Sequence, residues 1–209
     1  MIGIIDYGMG NLHSVSKALE RLEIPYLISS IPQELKTCDG FILPGVGAFP
    51  DAMKNLESTG LRTFLDEQVY QQKPLLGICL GMQLLFEQSK EYGETAGLSY
   101  LKGHVVHFSE KIHPNETSLK IPHMGWNELS FMNEKASTEG MEEDYVYFVH
   151  SYVVEAPEAI IAARADYGTD VPAIVEQDLV FGMQFHPEKS GQLGTSLLRR
   201  FGDLVKRGV

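Results

Sequence analysis

Cys79 sits in the stretch Gly77-Ile78-Cys79-Leu80-Gly81, after the apolar pair Leu75-Leu76 and before Met82-Gln83-Leu84-Leu85-Phe86. The pair reads as a strand and the following run as a helix. A strand, a tight turn and a helix therefore meet at a cysteine. This layout holds a nucleophile on a sharp, strained turn, here with sulfur as the attacking atom. Glycines two before and two after it have a steric purpose, because side chains there would collide across the turn. At the first turn of a helix, the positive end of the dipole favours thiolate over thiol. The bland alternative is a buried free cysteine with glycines placed for packing. A nucleophile, unlike a packed cysteine, needs a base elsewhere in the chain.

His186-Pro187-Glu188 supplies one. In extended backbone, residues two apart point to the same side, and Pro187 stiffens the step between them. Glu188 can then sit beside His186 and fix its tautomer and orientation. Standing alone, this would be a strand-end histidine with a solvated glutamate. With Cys79 it makes nucleophile, base and orienter, in chain order Cys, His, Glu. The other histidines fit less well. His104 and His107, three apart in a strand-like run, face opposite sides, which argues against a metal pair; His13 starts a helix and His113 lies in a polar loop. The sequence calls for no metal and no cofactor.

The elements that must position these groups follow an α/β rhythm. Residues 2–5 are a short β-branched run suited to a buried parallel strand. Leu12, Val15, Ala18, Leu19 and Leu22 share a helical face, and Pro25 ends that helix. Further strands are expected at 26–28 and 39–43, a helix at 61–70, and a strand entered at Pro74. Strand, helix, strand in this order implies a largely parallel sheet with right-handed crossovers. Beyond Phe86 come short strand-like pieces at 98–101, 104–108, 119–121, 145–149 and 152–154, with polar loops at 110–119 and 133–144. That middle section reads as antiparallel or mixed sheet. Residues 173–175 and 180–185 form a closing pair, and a last helix carries Leu197, Leu198, Phe201, Leu204 and Val205 on one stripe.

Two loops lie at strand carboxyl ends, where α/β proteins place ligands. Gly8-x-Gly10-x-x-His13 is a partial dinucleotide fingerprint, lacking the third glycine and an acidic residue after the second strand; it reads as a tight loop that exposes Asn11. Pro44-Gly45-Val46-Gly47-Ala48-Phe49 can aim backbone N–H groups at a ligand. The Val46 N–H would be half of an oxyanion hole and the Leu80 N–H the other half. Val46 is β-branched and poorly suited to positive φ, so the hole is expected to be incompletely formed at rest.

The chain has 209 residues, enough for one well-buried domain, expected to span 1–209. A net charge of −11 disfavours nucleic acid or an anionic membrane as a general partner. Only Cys38 and Cys79 are present, so no disulfide framework is available. No signal peptide or membrane-length apolar run is visible, and the expected location is the cytoplasm.

The combination of Gly77-Ile78-Cys79-Leu80-Gly81-Met82-Gln83 with His186-Pro187-Glu188 resembles the class I (triad) glutamine amidotransferases. Asp6-Tyr7-Gly8-Met9-Gly10-Asn11-Leu12, Pro44 to Phe49, Pro122-His123-Met124-Gly125-Trp126-Asn127 and Tyr147-Phe148-Val149-His150-Ser151-Tyr152 narrow it. Together they resemble the glutaminase subunits of imidazole glycerol phosphate synthase, collinearly over nearly the whole chain. The resemblance implies a three-layer fold with a largely parallel central sheet flanked by helices. It implies hydrolysis of L-glutamine to glutamate and ammonia through a Cys79 thioester. The ammonia would pass to a β/α-barrel cyclase subunit, in a heterodimer that serves histidine biosynthesis. Glutamine contacts would come from Gly47, Gln83 and the backbone at His150, Ser151 and Tyr152. The partner interface would include Asn11, Met124, Trp126, Asn127 and Lys189. A lone tryptophan is ordinarily core, but Gly125 and Asn127 beside Trp126 point to a loop. Two other readings remain open: a stand-alone triad cysteine hydrolase, such as a peptidase or γ-glutamyl hydrolase, and a non-catalytic regulatory subunit that kept the fold.

Overall fold

The computed structural model describes residues 1–111, 119–132 and 135–207. His113 and parts of the two polar stretches lie outside them. The first half alternates as expected: β1 (Ile2–Ile5), α1 (Leu12–Arg21), β2 (Tyr26–Ser29), α2 (Pro32–Leu35), β3 (Gly40–Gly45), α3 (Phe49–Ser58), α4 (Leu61–Tyr70), β4 (Leu75–Cys79) and α5 (Leu80–Leu84). The middle holds β5 (Gln88–Ser89), β6 (Thr95–Ala96), β7 (His104–His107), β8 (His123–Glu128), β9 (Ser130–Phe131), β10 (Tyr145–His150) and β11 (Tyr152–Glu155). The chain closes with β12 (Ile161–Asp166), β13 (Asp170–Gln177), β14 (Val180–Met183) and α6 (Gly191–Arg207).

An eight-stranded sheet runs in the order β2-β1-β3-β4-β14-β13-β12-β9. Its pairings from β2 through β14 are parallel, and those from β14 to β9 are antiparallel. Strand side chains alternate between two cores. Ile42, Leu76 and Ile78 face α1 and α6, packing with Leu19, Leu197 and Phe201. Phe41, Leu43 and Leu75 face α3 and α4, packing with Leu56, Phe64 and Leu65. Both faces of the parallel strands are thus covered, which is why they read as continuous apolar runs. Two smaller sheets, β10-β8 and β11-β7-β5-β6, make the mixed portion.

Several expectations differ from the structure. Residues 98–101 are not a strand: Leu98 N–H donates to the Leu84 carbonyl at 2.8 Å, and the Tyr100 and Leu101 N–H groups donate to that of Leu85 at 2.9 and 3.0 Å. The segment satisfies carbonyls at the end of α5, which therefore stops at Leu84 rather than running on through Phe86. Residues 119–121 are likewise not strand. The expected loop around Trp126 is strand β8, paired antiparallel with β10. Helix α3 begins without a side-chain cap at Ala48, so no capping signal separates it from the glycine loop.

Candidate active site

β4 delivers Cys79 to the mouth of the sheet, where it takes φ 56° and ψ −113° before α5 begins at Leu80. The flanking glycines permit this. A Cβ on Gly77 would stand 2.5 Å from the Gly81 carbonyl oxygen, and one on Gly81 would overlap the Leu43 carbonyl. No side chain fits either position, so the strained cysteine is held by close backbone approach on both sides.

His186 follows β14 and is fixed along its backbone. Its N–H donates to the Tyr147 carbonyl at 3.0 Å, and its carbonyl accepts from the Ser190 hydroxyl at 2.7 Å. Its Nδ1 lies 2.8 Å from Glu188 Oε1, and both side chains are almost fully buried. Burial alone would disfavour the charged imidazole. The Cys79 thiolate and the Glu188 carboxylate beside it outweigh burial and raise the His186 pKa to about 9. The proton therefore stays on the His186 imidazole at neutral pH.

These groups open into a cavity of about 590 Å³ whose lining includes Val46, Gly47, Cys79, Leu80, Gln83 and His186 together with Glu91, Tyr92, His150, Ser151 and Tyr152. The Leu80 N–H opens α5 and has no partner within the helix. The Val46 N–H, by contrast, donates to the Met9 carbonyl at 2.8 Å. A second cavity, of about 660 Å³, lies between loop 139–144 and α6; its lining contains no cysteine or histidine.

A class-I glutamine amidotransferase family model matches residues 3–204. The chain belongs to the class-I glutamine amidotransferase family. Among curated relatives, "Imidazole glycerol phosphate synthase subunit HisH" of Shouchella clausii is 60% identical over 99% of both chains. The protein of the same name from Bacillus subtilis is 54% identical over 96% of this chain and 95% of its own. A solved glutamine amidotransferase structure superposes with a TM-score of 0.76 at 23% identity, covering 98% of each chain. PurLQS from Thermotoga maritima gives 0.69 at 18%, covering 97% of each. These two likenesses are of fold.

The structure brings Cys79, His186 and Glu188 of this amidotransferase together, and Gly47, His150, Ser151 and Tyr152 line the same cavity. Gln83 lines it too, with its Nε2 donating to the Tyr152 carbonyl at 3.1 Å and to Gln184 Oε1 at 3.0 Å. Met124, Trp126 and Lys189 are exposed. Asn11 caps α1, its Oδ1 accepting from the Ser14 N–H at 3.3 Å. Asn127 is turned inward, its Nδ2 donating to the Asp166 carbonyl at 2.7 Å.

Glu91 was not expected in the site. It lies in a polar run, Lys90-Glu91-Tyr92-Gly93-Glu94, that has the composition of a solvated loop. In the fold it is 8% exposed, and Oε2 accepts from the Phe49 N–H at the start of α3 at 2.8 Å. Burial raises its pKa.

Proposed function

We propose that this chain is the glutaminase subunit of imidazole glycerol phosphate synthase, one domain over 1–209, working in the cytoplasm as a heterodimer with a β/α-barrel cyclase. The observation that carries the chemistry is Cys79, held at positive φ and facing a buried His186–Glu188 pair in one cavity. The 60% identity to a HisH subunit over the full length carries the choice within the family. No helix among the described residues is long and apolar enough to cross a membrane.

The Cys79 thiolate attacks the side-chain amide carbon of glutamine. The developing oxyanion is met by the Leu80 N–H and, once it leaves Met9, by the Val46 N–H. The His186 imidazolium protonates the departing nitrogen, and ammonia leaves a γ-glutamyl thioester on Cys79. Neutral His186 then takes a proton from water, which attacks the thioester; collapse expels the thiolate and yields glutamate. Glu188 holds the imidazole through Nδ1. The Glu91 carboxylate is the acidic side chain in the pocket wall and is placed to receive the substrate's ammonium group.

Glutamate release from L-glutamine is the test, measured for the subunit alone and with the cyclase and its ribonucleotide substrate. Low release alone that rises strongly with both additions is expected, and Cys79→Ala abolishes it while folding and partner binding persist. High release that the cyclase leaves unchanged would sink the proposal in favour of an autonomous cysteine hydrolase.

A further inference from the structure

His123 and His150 face each other across β8 and β10 as register partners, 2% and 6% exposed. Their rings are joined, His123 Nδ1 to His150 Nε2, at 3.0 Å. Both ends of this pair are tied to groups of fixed polarity. His150 Nδ1 lies 2.8 Å from the Tyr152 carbonyl oxygen, which can only accept. Nδ1 must therefore carry the proton, and neutral His150 has only a lone pair at Nε2. His123 must then donate from Nδ1, which leaves its Nε2 as an acceptor. That nitrogen lies 3.3 Å from Asn127 Nδ2, whose other hydrogen goes to the Asp166 carbonyl. Every bond from Asn127 to Tyr152 thus runs in one direction, and both rings are fixed as the Nδ1–H tautomer. Burial supports the neutral forms: it lowers the His150 pKa to about 3 and the His123 pKa to about 4.

We propose that His123 is a positioning residue for glutamine. Through this one-way hydrogen-bond chain it locks the tautomer of His150 and so holds the 150–152 backbone that lines the substrate cavity. The Tyr152 carbonyl at the end of the chain also accepts from Gln83, so Gln83 and His150, both of which line the cavity, share one anchor. The near neighbour Val149 places its carbonyl oxygen 3.9 Å from Cys79 Sγ. His123 touches no reacting atom in this scheme. The proposal rests on the glutaminase reading only for its kinetic consequence; the tautomers can be tested without it.

A purely packing role is the competitor, because the His123 ring is stacked between Phe148 (centroids 4.6 Å apart) and Tyr167 (4.0 Å). Two substitutions separate the roles. His123→Phe keeps an aromatic ring in the stack and removes both nitrogens. His123→Asn loses the stack and keeps a donor near the Nδ1 position. In the complex with the cyclase, the relay predicts that His123→Phe raises KM for glutamine about tenfold, the worth of one buried hydrogen bond, with kcat within about twofold. His123→Asn should recover most of that loss. The reverse order, with Phe near wild type and Asn impaired, would overturn the proposal. Imidazole ¹⁵N spectra of the full chain should show two neutral Nδ1–H rings at pH 7. An Nε2–H tautomer or a protonated ring at either position would also overturn it. If the wild-type chain released no glutamate even with the cyclase, the function would be wrong while the tautomer spectra still decided the relay.

Discussion

The Val46 N–H donates to the Met9 carbonyl oxygen at 2.8 Å, so the glycine loop is tied to the β1–α1 loop and the donor proposed for the oxyanion is already engaged. Met9 also packs on this loop, since a Cβ on Gly47 would come within 2.8 Å of its Cε. A β-branched residue at the pivot resists rotation of its own peptide, whereas glycine would not. Val46→Gly is therefore expected to raise partner-free glutamate release about tenfold, or about 1.4 kcal/mol of barrier. The rate in the full complex should change by less than about twofold. Unchanged basal turnover would mean that this peptide does not limit the isolated subunit.

Gly77→Ala tests the elbow by shape alone. The added methyl would stand 2.5 Å from the Gly81 carbonyl oxygen inside a fully buried strand end. Overpacking of that kind costs about 1–3 kcal/mol and moves backbone. The variant should unfold at lower denaturant and lose glutamine hydrolysis together. Full activity with full stability would show that the turn relaxes without these glycines.

The elbow and the His186–Glu188 pair were legible because their geometry is written locally. Glycines two residues either side of a cysteine, and a histidine two before a glutamate, need only the strand or turn they sit in. What escaped depends on pairing across the chain. Strand β8 was hidden by an inverted pattern: Met124 and Trp126 look outward while His123 and Asn127 look inward, so the polar residues mimic a loop. The His123–His150 contact spans 27 positions and exists only through the β8–β10 register. Glu91 becomes a pocket residue only when α3 offers it a backbone N–H.

Glu188 and Cys79 together hold His186 charged against burial, with its pKa raised to about 9. A histidine raised above its unfolded value of about 6.5 binds more protons in the folded state. Its contribution to stability is full below pH 6.5 and is lost as pH rises through about 9. Glu188→Gln removes one of the two anions. The His186 titration followed by NMR should then move to lower pH, and kcat should fall by about 10²–10⁴ as the ring loses its orienting partner. A His186 midpoint unchanged by this substitution would contradict the pairing.

Trp126 is 55% exposed and stands edge-on to Tyr147 at 6.1 Å, on the outward face of β8 beside Met124. Little of its surface is committed to the core. Trp126→Ala should weaken cyclase binding by about 2 kcal/mol, or roughly thirtyfold in Kd, as a central aromatic anchor does. The melting temperature of the free chain should move by no more than a few degrees. Loss of stability in proportion to affinity would make Trp126 a packing residue.

Acid should expose the buried histidine pair as a stability effect. His150 and His123 have pKa values lowered to about 3 and 4 by burial, against about 6.5 in the unfolded chain. Between those limits the unfolded state binds more protons, so stability rises with pH there and falls as the medium is acidified. Each ring contributes a slope of at most about 1.4 kcal/mol per pH unit. The contribution is complete above pH 6.5 and is progressively lost from there down toward about 4 for His123 and about 3 for His150. Denaturant melts of the wild type and of His123→Phe across pH 7 to 4.5 measure it. The variant should be less stable at pH 7, where His150 Nε2 has lost its donor, yet lose less on acidification because one buried titrating ring is gone. Parallel pH profiles for the two proteins would mean that His123 does not remain neutral inside the fold.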